Sequence, residues 1–206
     1  MLIKLYEENP SSKHINTIAE CLRDGGIIIY PTDTVYTFGC DIHRQKAVEK
    51  IAQLKKMDFR KNDFTLVCRD ISSLSEYTRP ISNSTFKMIK RCLPGPFTFI
   101  LDANNKVPKL FQRKKKTVGI RIPNNRIVWS IINELGNPIL STSLHSKDKI
   151  LDYTTDAELI YDEYKNKVDI IIDGGFGGNI PSTIVNCTNN NLEIIREGLG
   201  DTALIY

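Results

Sequence analysis

"GGIIIYPTDTVYTFGCD", residues 25–41, opens on two glycines, runs through Ile27, Ile28, Ile29 and Tyr30, and breaks at Pro31. A continuous apolar run of this kind suits a strand covered on both faces, in a sheet with helices on either side. The rest, "PTDTVYTFGCD" (31–41), reads as a loop, because proline followed by hydroxyl and carboxylate side chains is turn chemistry.

Upstream, Ile15, Ile18, Ala19 and Leu22 fall at helical spacing, with Ser11 or Ser12 available as N-cap and Gly25 as a stop. Downstream, "QKAVEKIAQLKK" (45–56) is a helix with Ala47, Val48, Ile51 and Leu54 on one face, and "FTLVC" (64–68) is a strand. Two helical patterns follow, "ISSLSEY" (71–77) and "STFKMIKRCL" (84–93), the second stopped by Pro94-Gly95-Pro96. "FTFIL" (97–101) and "TVGIRIP" (117–123) are strands; in the latter Val118, Ile120 and Ile122 alternate with Gly119 and Arg121, so Arg121 points away from the apolar side chains. Ile127, Val128, Ile131, Ile132 and Leu135 mark another helix, ended by Gly136-Asn137-Pro138. "ILSTSL" (139–144) is a strand carrying hydroxyls, "DAELIYDEY" (156–164) a helix, and "VDIIID" (168–173), "STIVNCT" (182–188) and "LEIIRE" (192–197) are strands. This alternation predicts an α/β or α+β architecture with a twisted, mixed sheet, and the lack of a repeat, linker or composition break predicts one domain over residues 1–206.

Composition is that of an ordinary soluble globular protein, with 41% hydrophobic and 25% charged residues. A net charge of +4 is mild and names no partner. Five widely spaced cysteines without a CxxC pair argue for reduced thiols in a cytoplasmic protein rather than a zinc site or disulfide framework. No apolar run approaches the roughly 20 residues of a membrane span. None of His14, His43 and His145 has another histidine at i+3 or i+4, no GxSxG occurs, and "GGFGG" (174–178) lacks the lysine and helix of a phosphate loop. No metal site is therefore expected.

Hydroxyl and cationic groups nevertheless sit where an apolar core would not choose them. Thr32 and Thr34 follow the first strand, Thr117 and Arg121 lie on another, Ser141 and Ser143 on a third, Ser182 and Thr183 on a fourth, and Arg196 on the last. If these strand ends converge they make a concave site rich in donors, suited to carboxylate and phosphate groups.

In this order and spacing, "YPTDTVYTFGCD", "PGPFTFIL", "TVGIRIP", "ILSTS", "PSTIVN" and "IIREG" resemble the YrdC/YciO family, whose best-known members are threonylcarbamoyl-adenylate synthases. The resemblance spans about Ile15 to Gly200 and is nearer the YciO branch in "FTLVCRDISSLSEY" and "STSL". It implies a YrdC/RibB-like fold, a twisted open sheet flanked by helices with a concave basic face. It also implies a nucleotidyltransferase reaction, in which L-threonine and bicarbonate form a carbamate that attacks the α-phosphate of ATP, with magnesium as the phosphate counterion, for threonylcarbamoyladenosine modification of tRNA. Carried over by motif, Thr32, Arg121, Ser141 and Ser182 would hold threonine, and Thr117, Ser143 and Arg196 the nucleotide.

Four positions depart from the synthase pattern. Their Lys-x-Arg motif becomes "LKKMDFRKNDF": Lys55 or Lys56 stands for the lysine, Met57 or Asp58 falls at the arginine, and Arg60 is a displaced substitute. Ser-x-Asn becomes Ser143-Leu144-His145, Cys68 stands where the synthases have histidine, and Thr37 replaces a glycine. The alternative reading is a protein of the same family that binds double-stranded RNA or tRNA without synthase activity, through "KKMDFRK" (55–61) and "RKKK" (113–116).

Overall fold

The computed structural model describes residues 1–56, 64–108, 116–144 and 155–206. Among the described residues, ten strands form one mixed sheet: β1 (Leu2–Lys4), β2 (Ile28–Tyr30), β3 (Thr37–Asp41), β4 (Thr65–Val67), β5 (Phe97–Asp102), β6 (Thr117–Arg121), β7 (Ile139–Ser143), β8 (Ile170–Asp173), β9 (Thr183–Asn186) and β10 (Glu193–Arg196). Their order across the twisted, open sheet is β1-β8-β2-β3-β7-β4-β6-β5-β9-β10. The pairs β1/β8, β2/β8, β4/β6 and β5/β9 are parallel and the others antiparallel. The α-helices among the described residues are α1 (Ser12–Arg23), α2 (Gln45–Leu54), α3 (Ser73–Tyr77), α4 (Asn83–Cys92), α5 (Arg126–Leu135) and α6 (Ala157–Tyr164).

The isoleucine run behaves as its composition requires. Ile27 and Ile29 pack on one side of the sheet with α2, α3, α4 and α6, while Ile28 and Tyr30 pack on the other with α1 and α5. All four are fully buried. Each such isoleucine contributes on the order of 2 kcal/mol through removal from water, so the central strands are fixed from both sides. Local signals set the helix limits: the Asn125 side chain accepts from Val128 N at 3.0 Å to start α5, and Gly136, at φ +84°, ends it.

Part of the opening stretch departs from its reading as a loop. Thr37–Asp41 is the strand β3, paired antiparallel with β2 on one side and β7 on the other, and buried throughout. "TFGCD" lacks the alternation of a half-exposed strand because both its faces are covered, and Gly39 further disguises it. α3 is shorter than its pattern, since Asp70 accepts from Ser72 N at 2.9 Å and holds the chain in a turn before Ser73.

The layer formed by α1 and α5 covers only part of its face. The sheet residues packed in that cluster come from β1, β8, β2, β7 and β4: Ile3, Ile170, Ile172, Ile28, Tyr30, Ile139 and Val67. None comes from β6, β5, β9 or β10. That half carries Thr98, Thr117, Arg121 and Arg196, with Ser141 and Ser143 beside it on β7; of these six, Ser143 and Arg196 are not buried.

Candidate active site

Side chains alternate between faces along a strand, so the pairing register decides which residues share a face. Starting from Tyr30 on β2, the register runs Tyr30↔Thr37↔Ser143 and Ile28↔Gly39↔Ser141, then Ser141↔Thr65↔Gly119 on β4 and β6. Arg121 and Thr117 lie two residues either side of Gly119. The register continues Asp102↔Thr117 and Thr98↔Ile184, with Arg196 opposite Ile184 beyond a bulge in β10. Thr117, Arg121, Ser141, Ser143 and Arg196 therefore occupy one face of one sheet. Ser182 joins them from the residue preceding β9, its hydroxyl 2.8 Å from that of Thr98.

The set spreads over this face rather than converging at strand ends. Thr117 and Arg121 begin and end β6, roughly 13 Å apart at the rise of a strand. The loop after β2 reaches Arg121, although four places separate β2 from β6 in the sheet.

Arg121 is the centre of the arrangement and is only 7% exposed. Its Nη2 donates to the Asp33 carboxylate, to Thr34 Oγ1 at 2.7 Å and to Thr32 Oγ1 at 3.1 Å. Asp33 also accepts from Asn124 N at 3.1 Å, which ties the loop after β2 to the turn after β6. Arg121 Nε is buried and has no hydrogen-bond partner among the described residues. A buried cationic donor without an acceptor is costly, and a carboxylate or phosphate oxygen is the kind of acceptor that would satisfy it.

Two other hydroxyls are held by partners the sequence did not single out. Tyr30 Oη lies 2.5 Å from Ser141 Oγ. Burial pushes the Tyr30 phenol well above its ordinary range, so it stays protonated and can donate to Ser141, leaving the serine hydrogen for a ligand. Ser182 is backed by Thr98, while Arg196 Nε and Nη2 donate to the Ser182 carbonyl at 3.1 and 2.7 Å. Thr32 donates to Val35 O at 2.7 Å and accepts from Thr34 N at 3.2 Å, so its hydroxyl already shapes the loop.

The lysine question divides clearly. Lys55 Nζ donates to the Ser143 carbonyl and lies 3.4 Å from Thr142 Oγ1, which brings it to the end of β7. Lys56 is exposed, with φ 51°. Arg60, Met57, Asp58 and His145 lie outside the described residues, as does most of each basic tract. Among the described residues no three His, Cys, Asp or Glu side chains gather to hold a metal, and no helix is long and apolar enough to cross a membrane.

Asp33, Thr34, Tyr30 and Thr98 are thus the site residues that motif reading passed over or left without a role. The signal for Thr98 was a lone hydroxyl inside "FTFIL"; that for Asp33 was its place in the same loop as Thr32.

Both the sequence and the fold have known counterparts. The Sua5/YciO/YrdC family model, described as "Telomere recombination", matches residues 20–198. An uncharacterized Haemophilus influenzae protein is 41% identical over 97% of this chain and 96% of its own length. Escherichia coli YciO, also uncharacterized, is 40% identical over 96% of this chain and 95% of its own. A Coxiella burnetii threonylcarbamoyl-AMP synthase is 28% identical over 81% of this chain and 88% of its own. Among solved structures, that of E. coli YciO superposes with a TM-score of 0.93 at 37% identity, covering 100% of this chain and 99% of that one. Pyrococcus abyssi Sua5 complexed with L-threonine gives 0.86 at 26% identity, covering 96% of this chain and 57% of the Sua5 chain. With the six ordered motifs spread along one sheet and matches running nearly its full length, the chain belongs to the Sua5/YciO/YrdC family.

Proposed function

We propose that the polar side of this sheet face binds L-threonine and ATP side by side and that the protein forms L-threonylcarbamoyl-adenylate from L-threonine, bicarbonate and ATP, for tRNA modification. The observation that carries this reading is Arg121: a buried guanidinium, fixed by Asp33, Thr32 and Thr34, whose Nε lacks an acceptor on a face lined with hydroxyls. A carboxylate is the ligand group its planar donor edge fits. The threonine-bound Sua5 relative supports threonine as the amino acid.

The reaction asks for positioning and charge neutralisation rather than a protein nucleophile. The threonine amine and bicarbonate give a carbamate and water; a carbamate oxygen then attacks the α-phosphorus, and the bond to pyrophosphate breaks. In this reading Arg121, Ser141 and Ser182 hold threonine. Thr117, Ser143 and Arg196 hold the nucleotide, and Lys55 offsets the negative charge that two anions bring together. Magnesium enters as part of the ATP substrate, bound to its phosphates. The RNA-binding reading rests on tracts of which only Lys55, Lys56 and Lys116 are described, and Lys55 is turned toward β7.

The test is pyrophosphate release by purified protein given ATP, magnesium, bicarbonate and L-threonine. Threonine-dependent release that Arg121→Ala abolishes is expected; release no greater than that of Arg121→Ala refutes the reading.

A further inference from the structure

A cleft of about 460 Å³ opens between α5, the turn after β4, and the Leu93-Pro94 corner after α4. Its size is that of a small-molecule site. None of Thr32, Arg121, Ser141, Ser182 or Arg196 lines it.

The sequence of α5 explains its chemistry. Ile127, Val128, Ile131, Ile132 and Leu135 are buried against the sheet. Arg126, Trp129, Ser130 and Asn133, at i, i+3, i+4 and i+7, form the opposite face, and all four line the cleft. A half-buried tryptophan on the polar face of an amphipathic helix is out of pattern unless that face receives something. Its ring is fixed: Nε1 donates to Pro123 O at 2.7 Å. The apolar floor is Ile122, Leu93, Pro94 and Ile71.

The walls are tied before any ligand arrives. Gly95 N donates to Ile122 O at 2.9 Å, holding the corner after α4 to the end of β6. Arg69 Nη1 donates to Asn133 Oδ1 at 2.5 Å and closes one end. At the other end stands Arg126, one helical turn from Trp129, and no carboxylate among the described residues lies within ion-pair distance of its guanidinium. Its Nη1 donates to the Glu8 carbonyl at 3.2 Å, and the Glu7 carboxylate accepts from its backbone N at 3.1 Å. The one acid on the rim, Asp70, is turned to Ser72 and Arg69.

We propose that this cleft is a second ligand site, for a small organic anion with a flat apolar body such as an aromatic carboxylate. The ring of the ligand lies against Trp129 and the apolar floor, and its carboxylate meets the Arg126 fork. The proposal is independent of the threonine and ATP reading.

The chain has a single tryptophan, so its emission reports this cleft directly. The protein is titrated with 4-nitrobenzoate, a quencher, and with the neutral 4-nitrobenzamide, both with inner-filter correction and in the presence and absence of L-threonine. Saturable quenching is expected, with the acid bound about tenfold more tightly than the amide, that preference lost in Arg126→Gln, and no displacement by L-threonine. Arg126 is exposed, so the variant is expected to fold, and its melting temperature checks that. Linear, unsaturable quenching, equal affinity for acid and amide, or an unchanged acid preference in Arg126→Gln overturns the proposal.

Discussion

The phenol of Tyr30 on β2 reaches across β3 to stand 2.5 Å from the hydroxyl of Ser141 on β7. It passes over Gly39, whose lack of a side chain makes the crossing possible: a Cβ there would lie 2.6 Å from Tyr30 Cε1 and 2.8 Å from Ile139 Cγ2. The tyrosine that ends the apolar run and the glycine within β3 thus serve one contact.

Gly39→Ala is expected to lower stability by about 1 to 3 kcal/mol through overpacking against the Tyr30 ring, and to weaken threonine binding by moving Tyr30 off Ser141. Tyr30→Phe removes only the hydrogen bond and costs about 1 kcal/mol. Urea unfolding and threonine titration of both variants check this; a stable Gly39→Ala protein with normal threonine affinity contradicts it.

The glycine loop after β8 supports the same site from behind. A Cβ on Gly178 would lie 2.3 Å from the Thr34 carbonyl oxygen, a backbone contact that cannot rotate away. Tyr36 Oη, which donates to Gly175 O at 2.7 Å, clamps the two loops together. Gly178→Ala is therefore expected to displace Thr34 from Arg121 and reduce threonine affinity by about tenfold, the equivalent of one lost hydrogen bond to a charged group. Calorimetric titration reads the change, and an unaltered affinity rejects the link between the loops.

Much of this architecture was legible beforehand. The period of two in "TVGIRIP" placed Arg121 opposite Val118 and Ile120, as observed, because β6 has an apolar face to contrast with a polar one. The isoleucine run declared a doubly covered strand. β3 was not legible, since a strand buried on both faces and holding Thr37 and Gly39 has no alternation to read. β1 is only three residues long, too short for a pattern. The pairing of Arg121 with Asp33 and of Ser141 with Tyr30 joins residues 88 and 111 positions apart. Such contacts depend on strand register, which local sequence does not carry.

The Arg121–Asp33 pair is buried, with side chains 8% and 11% exposed. Removing one partner leaves an uncompensated charge, so Asp33→Ala is expected to cost about 3 to 5 kcal/mol, whereas the double replacement Asp33→Leu with Arg121→Met recovers much of that loss. Urea midpoints of the three proteins decide it: a single variant no less stable than the double one shows that the pair does not act as a buried ion pair.

Burial also sets the alkaline limit of the fold. It pushes the Cys68 and Cys187 thiols from 9.0 to about 12, and the Tyr36 phenol from 10.0 to about 12. These groups ionise first in the unfolded chain, so the stability they contribute is whole below pH 9 and is lost as pH rises from there toward 12. The urea midpoint should be flat from pH 7 to about 8.5 and fall above it. The same burial predicts slow native reaction of Cys40, Cys68, Cys92 and Cys187 with thiol reagents at pH 8. Rapid modification of all five cysteines without denaturant would contradict it.

In the proposed function Arg121 receives the carboxylate of L-threonine. A ligand that binds only the folded state raises its melting temperature, so L-threonine and L-threoninol, which differ in that one group, are compared by thermal unfolding with and without ATP and magnesium. A concentration-dependent rise is expected with L-threonine, larger beside ATP, and none with L-threoninol. Equal shifts with the two compounds, or no shift with L-threonine at any concentration, would contradict it.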